Sequence, residues 1–102
     1  MIVVVKIKVS DYIRFAFDSN DADILTTAIR SKLSNERSEF IQLDFDNVKY
    51  ATTSFFSELI SALITFKIEV VNLSEYAEKI YNLCYSNALA YYRTANVGGD
   101  FP

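Results

Sequence analysis

Three hydroxyl side chains stand in a row at Thr52-Thr53-Ser54, a short loop after the apolar run Ile41-Gln42-Leu43-Asp44-Phe45. A strongly amphipathic segment follows them. The stretch therefore reads as a buried strand, a loop and a helix whose first turn displays the hydroxyls. Ser54 falls at the helix N-terminus, where free backbone N–H groups and the helix dipole favour an anion. Its simplest role is a helix cap contributing about 1 kcal/mol. Its chemical alternative is to carry a phosphate, with Thr53 as the second acceptor. A phosphate adds about −1.5 to −2 charges at pH 7. The helix dipole tolerates that charge, while a partner surface at the same spot meets a new charge to bury or repel.

Glu58 lies one turn on, as a first-turn acid or a contact for a partner's Arg or Lys. Asp44 and Asp46 flank the same end of the strand. Paired carboxylates suit acid chemistry or Mg²⁺. An Asp ending a strand also bonds the N–H groups of the following turn. The turn reading is the one adopted, and no metal or cofactor is expected.

The rest of the composition narrows the function. Histidine is absent, which removes the commonest general base, zinc ligand and pH switch. The single cysteine, Cys84, allows no internal disulfide and sits on an apolar stripe, as a small core residue does. There is no glycine-rich phosphate loop and no nucleophile–base pair, so an enzyme is not expected. Ten basic residues are scattered among thirteen acidic ones, for a net charge of −3, which argues against a nucleic-acid partner. No stretch reaches the roughly 18 apolar residues of a membrane span, and the alternating N-terminus does not resemble a signal peptide. A reducing, cytoplasmic setting is expected.

At 102 residues, 51 % hydrophobic and 23 % charged, the chain suits a single folded domain over residues 1–96 with a flexible tail at 97–102. Ile2–Val9 alternates, with Val3, Val5, Ile7 and Val9 on one face and Lys6 and Lys8 on the other, which predicts a strand. Tyr12–Phe17 alternates again, with Ile13, Phe15 and Phe17 on one side, which predicts a hairpin with the first strand. Ser19-Asn20-Asp21 predicts a cap for a helix carrying Ile24, Leu25, Ala28, Ile29 and Leu33. Ser34–Glu39 reads as a loop. Phe40–Phe45 reads as a central strand buried on both faces.

Ser54–Thr65 predicts a helix that buries Phe56, Leu59, Ile60, Leu63 and Ile64 and exposes Ser57, Glu58, Ser61 and Thr65. Phe66–Leu73 predicts a strand. Ser74 caps a third helix with Ala77, Ile80, Tyr81, Cys84 and Ala88 on one stripe. The order β-β-α-β-α-β-α implies an α/β fold, with a mixed sheet of four to five strands and helices mainly on one face. Tyr76, Tyr81, Tyr85, Tyr91 and Tyr92 crowd residues 76–92. A surplus beyond the core would mark an interface, including that of a homodimer.

This order, together with Leu43-Asp44-Phe45, Val48, Ser54-Phe55 and Glu58-Leu59, resembles a STAS domain. The closest resemblance is to a divergent STAS-like family of bacterial and phage proteins related to the anti-sigma-factor antagonists. Val70-Val71-Asn72-Leu73-Ser74 before a helix is a second echo. The resemblance covers roughly residues 1–90. It implies a regulatory domain that docks an ATPase or kinase-like protein through residues 52–58, with Ser54 at the phosphoacceptor position. Asp46, Thr52, Thr53, Ser54, Phe55, Ser57 and Glu58 would then face the partner. Thr52 replaces the family's aspartate and Phe55 its glycine, whose lack of a side chain leaves room for close approach. These departures suit a second reading, a stoichiometric inhibitor or decoy without phosphorylation. A third reading is a small-anion or nucleotide sensor at the helix N-terminus.

Overall fold

The computed structural model describes residues 3–48 and 50–98, with side chains through Arg93. Three strands, β1 (Val4–Lys8), β2 (Phe40–Asp44) and β3 (Lys67–Val71), form a parallel sheet in the order β1-β2-β3. Three helices follow them in turn: α1 (Ser19–Glu36), α2 (Thr53–Leu63) and α3 (Glu75–Gly98). The α/β class agrees with the alternation of patterns in the sequence. The sheet differs from the expected one: among the described residues it has three strands, all parallel, rather than four to five in a mixed arrangement.

The missing strand is Tyr12–Phe17. After β1 the chain tightens into a 3₁₀ turn at Val9–Asp11, where the N–H groups of Tyr12 and Ile13 both donate to Val9 O. That turn directs the chain away from β1, so no hairpin forms. Ala16 instead makes a single parallel bridge to Ala51. Ile13 and Ala16 are buried, while Phe15 and Phe17 are about half exposed.

Burial alternates along the strands. Val5 and Ile7 of β1 and Ile41 and Leu43 of β2 are buried, and Ile68 and Val70 of β3 continue the same face at half burial. The opposite face carries Lys6, Lys8, Gln42, Asp44, Lys67 and Glu69, exposed or half-buried. Gln42 donates to Glu69, and Lys67 sits over the Phe40 ring. Thus β2 is buried on one face, not two. The helices pack on the apolar face. Leu25 and Ile29 of α1, Leu59 and Ile60 of α2, and Ala77 and Cys84 of α3 join one core with the strands.

The helix ends also follow local chemistry. Asp18 caps α1, taking the Asp21 N–H while the Asp21 carboxylate takes the Asp18 N–H, a reciprocal capping box. The helix continues to Glu36, through the first half of the expected loop, and closes on Arg37 in the left-handed region (φ 52°). Ser74 caps α3 as predicted, its hydroxyl taking the Ala77 N–H at 3.1 Å. α3 runs unbroken through Asn87–Arg93 to Gly98, which includes the first two residues of the expected tail. Residues 99–102 lie outside the described residues.

Candidate functional site

Because the three strands run parallel, the segments leaving their carboxyl ends (9–18, 45–48 with 50–52, and 72–74) gather at one end of the sheet. Backbone bonds tie them together. Ala16 N–H donates to Tyr50 O at 3.3 Å, Thr52 N–H to Ala16 O at 3.0 Å, and Phe45 N–H to Val71 O at 3.0 Å. This end is also where α2 begins.

Thr52 is the N-cap of α2. Its backbone is extended (φ −113°, ψ 164°), its hydroxyl oxygen accepts the Phe55 N–H at 3.2 Å, and its hydroxyl donates to Phe17 O. The cap therefore sits two residues before Ser54, where sequence spacing put it. The bond to Phe17 O explains the difference: Thr52 also fastens the loop before α1 to the start of α2. Ser54 becomes a residue of the first helical turn with an exposed side chain.

Thr53, Ser57, Glu58 and Asp46 are likewise exposed, and Thr52 is half-buried. Phe55 is not exposed at all. Its ring packs edge-on against Phe56 at 5.5 Å and Phe45 at 6.4 Å between centroids. The ring is held inside by the core and cannot face a partner, which corrects its placement among the contact residues.

Asp44 behaves as the turn reading expects. Its Oδ1 accepts the Asn72 side-chain amide and the Asp46 N–H, each at 2.9 Å. These bonds, that from Asn72 foremost, hold the Asp44 carboxyl below the usual carboxylate range. Among the described residues no group of three or more His, Cys, Asp or Glu side chains comes together to hold a metal.

Two features escaped the sequence reading. Phe15 and Phe17 stack in parallel at 5.2 Å, and Tyr50 lies 6.1 Å from Phe17, forming an aromatic patch beside the start of α2. All three are about half exposed or more. The signal for it was Ala16, a small residue between two Phe, which permits the close backbone approach to Ala51. The second feature is a groove of about 400 Å³ between α2 and α3. Its signal was divided between two helices. Thr53, Ser57 and Ser61 recur every four residues on α2, while Leu83, Tyr91 and Tyr92 on α3 are exposed.

Cys84 is buried beside the groove, as its apolar stripe predicts. Tyr81 packs edge-on against Phe56 at 5.5 Å and stacks with Tyr85 at 6.0 Å. Burial, with Tyr85 adding to it, pushes the Tyr81 hydroxyl up to about 12. Among the described residues no helix is long and apolar enough to cross a membrane. Compared with family models, curated proteins and solved structures, the chain returns no match.

Proposed function

We propose that this chain is a non-enzymatic regulatory interaction domain of the anti-sigma-factor-antagonist type. In this reading the start of α2 docks an ATPase or kinase-like protein, and phosphorylation of Ser54 weakens the docking. One observation carries it: Thr52 holds the helix cap, so Ser54, two residues on, is exposed and its hydroxyl makes no bond to the fold among the described residues. A phosphate on Ser54 would meet the positive end of the α2 dipole, so the domain would stay folded while its surface charge changed.

The burial of Phe55 supports the same reading. The residue that replaces a glycine turns its ring inward, so it does not block a partner's approach. Thr53, Ser57, Glu58 and Asp46 supply polar contacts, and the Phe15–Phe17–Tyr50 patch supplies the apolar area that a surface of this kind uses. The STAS-like resemblance and a cytoplasmic setting belong to this proposal. The decoy reading differs in a single outcome, since a decoy would bind with no response at Ser54.

The test is a capture from host lysate with the wild type, Ser54→Ala and Ser54→Asp. Titration of the purified captured protein follows. The expected result is an ATPase-fold partner held by the wild type and Ser54→Ala, and held at least tenfold more weakly by Ser54→Asp. All three proteins should melt alike. Equal affinity of Ser54→Asp and wild type would overturn the switch and leave the decoy.

A further inference from the structure

The groove between α2 and α3 has two unlike walls. α2 contributes Thr53, Ser57 and Ser61, whose four-residue spacing sets their hydroxyls in one line along the helix. α3 contributes Leu83, Ala88 and the rings of Tyr91 and Tyr92. Cys84 forms the floor at 4 % exposure. Its Sγ accepts from the Ser57 hydroxyl at 3.7 Å and donates to the Thr53 carbonyl at 3.9 Å. Sulfur is a weak acceptor, so the Ser57 hydroxyl is held loosely and can turn to a better partner.

The volume of about 400 Å³ falls within the range of about 300–1,000 Å³ usual for small-molecule sites. Among the described residues no charged side chain lines the groove. Along Ser57 and Ser61, beyond the first turn of α2, an ionic occupant would therefore lose hydration with no side-chain counter-charge in return. A purely aliphatic one would cover the hydroxyl line and leave it without partners. A flat ring system with donors and acceptors on its edge meets both walls, with its face on a tyrosine ring and its edge along Ser57 and Ser61.

We infer that the α2–α3 groove is a binding site for an uncharged, flat heteroaromatic small molecule. The inference does not rest on phosphorylation of Ser54. The groove shares Thr53 and Ser57 with the proposed docking face, so an occupant would also alter that face.

The test is an amide-resolved NMR titration of the full chain with fused-ring heteroaromatic fragments (indazole, quinazolinone and purine types) and with the same rings bearing a carboxylate. Uncharged members should shift the amides of Ser57, Ser61, Ala88 and Tyr91 saturably, and the carboxylates should bind at least tenfold more weakly. Ser61→Arg, at an exposed position on the groove wall, should weaken binding at least tenfold without lowering the melting temperature. Lys6→Ala, on the open sheet face, should bind as the wild type does. No saturable shift, shifts confined to other residues, or equal binding of the carboxylates would each overturn the site. So would concentration-dependent broadening of these amides without ligand, because a second copy would then occupy the groove.

Discussion

At Asp44 a single carboxylate oxygen carries two hydrogen bonds, and both favour the ionised form. The folded pKa therefore lies below the ordinary value. A group depressed in this way stabilises the fold above its unfolded pKa, about 3.9, and that stability is lost as pH falls through the folded value. Asn72→Gly isolates the effect, because Asn72 holds φ 61°, a left-handed conformation that glycine adopts freely. In the variant, the carbon-13 titration of Asp44 should move up toward the ordinary Asp range. Its stability in urea should fall less between pH 5 and pH 3 than that of the wild type. An unmoved Asp44 titration would mean that the Asn72 amide does not hold the carboxylate in solution.

Along α2, neighbouring residues divide sharply between fold and surface. Phe55→Ala removes a fully buried ring from the Phe45–Phe55–Phe56 cluster and should cost about 3–5 kcal/mol in chemical denaturation. Ser54→Ala, one residue earlier, should stay within about 0.5 kcal/mol of the wild type. Comparable losses at both positions would contradict this arrangement of the helix. The buried stripe Phe56, Leu59, Ile60 and Leu63 was legible from spacing, because a 3.6-residue period needs no knowledge of the partner element. Phe55 was not legible: at the first turn a side chain beside the stripe reaches the core only because Phe45, just after β2, meets its ring there. The cap was misplaced for a similar reason. Thr52, Thr53 and Ser54 can each cap a helix, and local preference even leans to Ser, but a bond to Phe17 O, far away in sequence, favours Thr52. Tyr12–Phe17 alternates as a strand does, yet the turn at Val9–Asp11 overrides that pattern.

Across the whole molecule, the parallel order β1-β2-β3 has two consequences. It puts the apolar strand residues on one face under all three helices, and it leaves the other face charged. It also brings three loops to one end, where the bridge between Ala16 and Ala51 carries Phe15, Phe17 and Tyr50 out beside the start of α2. Stacked aromatics left half in water add little to the fold, because most of their area stays hydrated. They are the groups that a docked partner would cover with most gain. The double variant Phe15→Ser/Phe17→Ser should therefore lose no more than about 1 kcal/mol of stability, since Ile13 and Ala16 anchor the segment and the Thr52 bond to Phe17 O involves only its backbone. Its affinity for the captured partner should fall at least tenfold, about 1.4 kcal/mol. A variant that unfolds would make the patch a part of the core. One that folds and binds as the wild type does would confine the docking face to α2 itself.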